Sequence, residues 1–199
     1  MKKKPHICIL SSQYFGWGIY GGFGSMSRKL AESLVQAGYP VSVIVPRRDG
    51  QRPVENIQGV EVQSFAPLNI AEACRLIRSS AADIFHSQDP TLLTYLAQRL
   101  SPGRTHLVTC RDPRDWKDWL TEFRYATSLR RALLPFNYVT ESGPLISQSV
   151  RNAQGVFCPA QCLKHKIKQL YGLNDQPDLL PNLIDVPGSI PQKPAMTRS

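Results

Sequence analysis

The chain has 199 residues, of which 42% are hydrophobic and 20% charged, and its formal net charge at pH 7 is +9. That length fills one core and is short for two, and the composition is that of a folded globular protein, so disorder is left to the ends. No apolar run approaches the roughly 20 residues that cross a bilayer, and the lysines at 2–4 precede too short an apolar stretch for a signal peptide, which argues against a chain that spans or leaves through a standard signal.

The first expected strand is residues 6–10, a short apolar run without alternation, the pattern of a strand buried on both faces of a parallel sheet. A long loop follows, carrying Gly16, Gly18, Gly21, Gly22 and Gly24. Ser25 can cap the next helix, whose Met26, Leu30, Leu34 and Ala37 form one apolar face before Gly38 ends it. Further strands are expected at 41–45, 60–65, 83–86, 106–109, 156–158 and 178–180. Helices are expected at 70–80, 91–100, 121–134, 144–152 and 161–171, the last closed by Gly172. Strands alternating with helices imply an α/β fold, a doubly wound parallel sheet covered on both faces by right-handed crossovers. After Asp185 the composition turns proline-rich, so residues 1–186 are read as one Rossmann-like domain and 187–199 as a linker or disordered tail.

Five cysteines, Cys8, Cys74, Cys110, Cys158 and Cys162, form no CxxC pair and have no histidine at zinc spacing. Cys8, Cys110 and Cys158 lie in apolar runs and read as reduced core residues, which points to a reducing cytosol and to no bound metal. The positive charge gives an anionic partner a hearing, but the basic residues come in short clusters that read mainly as solvated surface. Nucleic acid is not expected, since nothing but the charge speaks for it.

In an open parallel sheet, ligands bind at the carboxyl ends of the strands. The glycine loop after the first strand ends at a helix N-terminus, where free N–H groups and the helix dipole suit a phosphate or another anion. Gly21, Gly22, Phe23 and Gly24 are its candidate residues. At the end of the 83–86 strand stand His86, Gln88 and Asp89, polar groups suited to sugar hydroxyls. Arg111 and Asp112 follow the 106–109 strand, and the fork of Arg111 can hold a phosphate or carboxylate bidentately. No HExxH, GxSxG or GxxxxGK[ST] pattern is present, and no complete catalytic centre is expected.

Taken in order, these pieces resemble the N-terminal domain of glycosyltransferase family 4. The pieces are the buried first strand, Gly21-Gly22-Phe23-Gly24 opening a helix, AESLVQAGYPVSVIV, ADIFHSQDP, QGVFCPAQCLKHKIKQLYG and Pro181-Asn182-Leu183-Ile184-Asp185. The resemblance implies the acceptor-side half of a GT-B fold. It also implies a retaining enzyme in which a second domain, with no counterpart here, grips a nucleoside-diphosphate sugar. On that analogy no cofactor is bound by this domain, Gly21 and Gly22 approach the donor phosphates or the acceptor, and His86, Gln88 and Asp89 line the acceptor pocket. Arg111 stands where many relatives carry a histidine, and an arginine cannot act as a base at neutral pH. Leu183 replaces the glycine of the usual Pro-Asn-Gly-Ile-Asp pattern.

The resemblance further implies a glycan or lipid-linked acceptor and a cytoplasmic protein that works peripherally at the inner membrane face. Residues 121–136 suit such a contact, with Ala126, Leu129 and Leu133 along one face and Arg124, Arg130 and Arg131 elsewhere. Two other readings of the same residues stay open. One is an NADP-dependent oxidoreductase, with the glycine loop holding the cofactor and Arg47 and Arg48 its 2′-phosphate, although the glycines lie far from the strand end. The other is a non-catalytic carbohydrate- or anion-binding module.

Overall fold

The computed structural model describes residues 3–14 and 22–183. Eight strands form one sheet: β1 (Ile7–Leu10), β2 (Val41–Pro46), β3 (Val54–Ile57), β4 (Val60–Phe65), β5 (Ile84–Ser87), β6 (Thr105–Thr109), β7 (Gly155–Cys158) and β8 (Asp178–Leu179). Their order across the sheet is β3-β4-β2-β1-β5-β6-β7-β8. Every pairing is parallel except that of β3 with β4. The fold is α/β and Rossmann-like. From β1 the chain winds outward to one edge and then returns to β5 on the other side of β1, so the order reverses between β1 and β5. At such a reversal the loops diverge and leave a crevice beyond the carboxyl ends of the strands.

The continuous apolar run of β1 is explained by the two layers that cover it. Cys8 and Leu10 pack with Ile44, Phe65, Ala73, Ile77, Phe85 and Ala97 on one face. Ile7 and Ile9 pack with Ala31, Val43, Val45, Val60 and Val62 on the other. A third cluster, with Val108, Cys110, Val150, Cys158, Ile167 and Tyr171, fills the β6–β7 side. The helices between the strands supply these covers: α1 (Gly22–Gln36), α2 (Ile70–Ser79), α3 (Leu92–Leu100), α6 (Pro144–Arg151) and α7 (Leu163–Tyr171). Successive residues of a strand face opposite sides, so one uninterrupted run serves both cores.

Three features differ from the sequence reading. The helix expected to start after Ser25 begins at Gly22, so Ser25 lies in its first turn. Ser27 in the same helix turns inward, donating to Phe23 O at 2.9 Å, with its Oγ 2.8 Å from Ser11 Oγ. The single helical stretch expected at 121–134 is two helices, α4 (Trp116–Tyr125) and α5 (Ser128–Glu141). Ala126 ends the first in extended conformation, and Thr127 caps the second by accepting from Arg130 N. The antiparallel β3 was not expected at all. The five cysteines are free thiols, with Cys8, Cys110 and Cys158 buried. The proposed tail at 187–199 lies outside the described residues, as do Gly16, Gly18 and Gly21.

Candidate functional site

A cavity of about 320 Å³ opens at the carboxyl edge of the sheet, at the point where the strand order reverses. Ser12 and Gln13 after β1, Phe23 at the start of α1 and Arg48 after β2 form one side. Asp89, Pro90 and Thr91 after β5 and Asp112 and Arg114 after β6 form the other, closed by Glu141, Ser142 and Tyr171. The wall is built by strand ends because each buried strand delivers its next residues to the same edge.

Local bonding holds this wall in shape. Ser11 Oγ donates to Gln13 O at 2.6 Å and so turns the chain directly after β1. Arg111 N donates to Asp89 Oδ1 at 3.2 Å, fastening the β6 loop to the β5 loop. Arg114 spans from Asp112 at 2.8 Å to Glu122 at 2.7 Å, with its guanidinium over the Trp119 ring. Arg48 is different. Its main-chain N–H bonds Gln51, and its guanidinium has no hydrogen bond or ion pair among the described residues. A half-buried cation facing a cavity without a counterion favours an anionic or strongly polar ligand there.

Burial perturbs two carboxyls of the site. Burial pushes Asp89 up to about 7, against the opposing pull of the Arg111 main-chain N–H and of the Arg111 charge. Burial also raises Glu141 above the usual carboxylate range. A carboxyl that titrates near neutrality donates a hydrogen bond in one form and accepts in the other, which suits a hydroxyl that does both.

The residues nominated from sequence fall in different places. Phe23, Asp89 and Asp112 line the cavity. Gly22 opens α1, and a side chain added there would meet nothing within 4 Å. Gly24 is buried inside the same helix, and Gly21 lies outside the described residues. His86, Gln88 and Arg111 do not line the cavity. His86 is buried in the body of β5, its Nε2 2.8 Å from Thr109 Oγ1, and burial followed by the Arg111 charge lowers it to about 4. Gln88 accepts from Arg111 through Oε1, and Arg111 also bonds Asn182. Gln88 Nε2 and Arg111 Nε are buried donors with no partner among the described residues, and Gln13 Oε1 is a buried acceptor in the same state. Such orphaned atoms are uncommon, and for Gln13, which lines the cavity, a polar ligand there would supply the partner. Among the described residues, no group of three or more His, Cys, Asp or Glu side chains is placed to hold a metal ion.

The sequence of glycosyltransferase family 4 matches residues 20–186 of this chain. The chain belongs to glycosyltransferase family 4. Its α/β Rossmann-like fold matches part of GT-B glycosyltransferases. The catalytic domain of starch synthase IV from Arabidopsis thaliana, solved with ADP and acarbose, superposes with a TM-score of 0.54 at 11% identity, over 89% of this chain and 52% of that one. An α-glucosyltransferase, solved with UDP and a 13-mer DNA containing an HMU base, superposes with a TM-score of 0.51 at 14% identity, over 90% of this chain and 43% of that one. The family 4 chain thus spans about half the length of these solved structures. No curated protein matches it in sequence.

Proposed function

We propose that this family 4 chain is the acceptor-binding half of a retaining glycosyltransferase. The whole enzyme moves a sugar from a nucleoside-diphosphate sugar to a glycan or lipid-linked acceptor in the cytoplasm, and a further domain outside these residues grips the donor. The observation that carries the reading is the cavity at the β1–β5 reversal, with Asp89, Asp112, Thr91, Ser12 and Arg48 facing one space. Hydroxyl-rich ligands are held by many polar contacts of this kind, each of modest net strength.

In this reading Asp89 and Thr91 bond acceptor hydroxyls, Arg48 takes an anionic group of acceptor or donor, and Phe23 gives an apolar floor. Gln88 and Arg111 position Asp89 from behind. The leaving diphosphate needs electrostatic stabilisation, most of which the donor domain would provide. The nicotinamide reading has lost one support, because Arg47 is committed to Glu72 at 2.8 Å and to Ser64.

A thermal-shift titration of the 199-residue chain with sugar phosphates, short glycans, UDP- and GDP-sugars and NADPH tests the proposal. A ligand at about 100 times its dissociation constant stabilises by roughly 2.7 kcal/mol. Stabilisation by sugar phosphates or glycans, with little response to nucleotide sugars, is the expected result; stabilisation by NADPH alone would overturn it.

A further inference from the structure

A second cavity, of about 240 Å³, opens where α3 and α6 both end. Tyr95, Gln98 and Arg99 reach it from α3, Gln148 and Asn152 from the last turn and C-cap of α6, and Gln154 from the residue before β7. His106, the second residue of β6, lines it too. Because β6 and β7 begin here, the cavity lies at the amino edge of the sheet, opposite the cleft at the β1–β5 reversal. Residues three and four apart share a helix face, so Tyr95 is presented with Gln98 and Arg99, and Gln148 with Asn152.

Four of the lining side chains are carboxamides, and no lining residue is acidic. Two of the amides are held at one end and open at the other. Gln98 donates Nε2 to Ser149 O at 2.7 Å and keeps Oε1 to offer, while Gln154 accepts from His106 N at 2.7 Å through Oε1 and keeps Nε2. The side chains of Tyr95, Arg99, Gln148 and Asn152 make no hydrogen bond or ion pair among the described residues. His106 donates Nε2–H to Ser101 O at 2.9 Å and stacks on Phe85, and burial lowers it, so its ring is neutral at pH 7. Arg99 is thus the one charge on the wall, and the carbonyl ends of two helices offset it, which disfavours an anion. A cation would meet Arg99 and no carboxylate. A neutral ligand rich in hydroxyls fits, since each hydroxyl donates and accepts as a carboxamide does across its two ends, and the C–H face of a sugar ring can cover an aromatic ring.

The geometry points to a second carbohydrate-binding site at the amino edge of the sheet, in which Tyr95, Gln98, Arg99, Gln148, Asn152 and Gln154 hold a neutral sugar unit of a glycan. A glycan held there leaves the cleft free, because the two sites lie on opposite edges. It also keeps the protein beside its polymer and raises the effective concentration of other chain ends at the cleft. The inference stands on this lining and is independent of what the cleft binds.

Two-dimensional amide NMR of the nitrogen-labelled full chain, titrated with maltose, cellobiose, lactose and chitobiose and separately with inorganic phosphate, tests it. The side-chain amide signals of Gln148, Asn152 and Gln154 are expected to move with at least one disaccharide and to ignore phosphate. Gln148→Ala combined with Asn152→Ala should weaken that binding about tenfold, as the loss of two hydrogen bonds does. Both residues are exposed, so the double variant should melt as the parent does. Tyr95→Ala should also weaken binding about tenfold, whereas Tyr95→Phe, which keeps the ring, should stay within about twofold. Amide signals that stay still with every disaccharide, that move with phosphate alone, or that move equally in the double variant would each overturn the inference. Signals of the loops around Asp89 and Asp112 report the cleft separately, so movement confined to them would overturn this site and support the cleft.

Discussion

Arg47 and Arg48 follow one another at the end of β2, yet only Arg47 is spent on the fold. Its guanidinium bonds Glu72 at 2.8 Å and Ser64 O at 2.7 Å, tying α2 to β4, whereas Arg48 lines the cavity and its guanidinium has no partner among the described residues. Arg47→Ala should therefore cost roughly 1 kcal/mol in urea denaturation, as expected of a partly exposed ion pair, and leave ligand binding alone. Arg48→Ala should leave stability within about 0.5 kcal/mol and weaken binding of a sugar phosphate about tenfold, read by the thermal-shift titration. Equal effects of the two substitutions on binding would remove Arg48 from the site. The sequence reading paired these two arginines because they are adjacent, and adjacency does not reveal that Glu72, a turn into α2, lies within reach of one of them. Asp89 and Asp112 were legible as cavity residues because they directly follow apolar strands. Glu141 and Tyr171 were not, since their arrival depends on how α5 and α7 pack.

The elements themselves were legible in proportion to how much of each is buried. The strands β1 and β2 read as apolar runs because two layers of helix cover them, and α1 ended where expected because Gly38 adopts φ +80° after it. The antiparallel β3 escaped notice because VENI is an edge strand with Val54 more than half exposed, so no buried run marks it. Its turn did leave a signal. Gln58 and Gly59 both have positive φ, 54° and 81°, the geometry of a two-residue hairpin that favours Asn-Gly, and Gln in the first position masks it. Gln58→Asn is thus expected to stabilise the protein by roughly 0.5 kcal/mol by relieving the left-handed residue. Gly59→Ala should destabilise it by about 1 kcal/mol or more, because it adds backbone strain and a Cβ 3.0 Å from Val35 Cγ1. Both are measured as shifts in the urea midpoint. The break between α4 and α5 was missed for a related reason: ATS at 126–128 carries neither glycine nor proline, and the cap comes from Thr127.

At the scale of the whole molecule, the alternation of strands and helices implied a doubly wound sheet, but not its order, which depends on crossovers that local pattern does not encode. That order brings the β5 and β6 ends together and sets His86, Asp89 and Arg111 near one another, with consequences for how stability depends on pH. His86 is lowered from 6.5 to about 4, so between those values the unfolded chain binds a proton that the folded chain refuses, and stability falls as pH drops from 6.5 to 4. Asp89 is raised from 3.8 to about 7, so the folded chain holds a proton that the unfolded chain has released, and stability falls as pH rises from 3.8 to 7. Across the shared window the two slopes oppose, each near 1.4 kcal/mol per pH unit, and the pair contributes a nearly flat profile. Replacing one residue should uncover the other. Asp89→Asn, which keeps the acceptor for Arg111 N, should gain stability steadily as pH rises through the window, whereas His86→Gln should lose it over the same range. Urea denaturation at a series of pH values between 4 and 6.5 distinguishes them. Profiles of equal slope in the two variants would mean that these groups are solvated enough to keep their ordinary titration, and the cavity wall would then lack the neutral carboxyl assigned to Asp89.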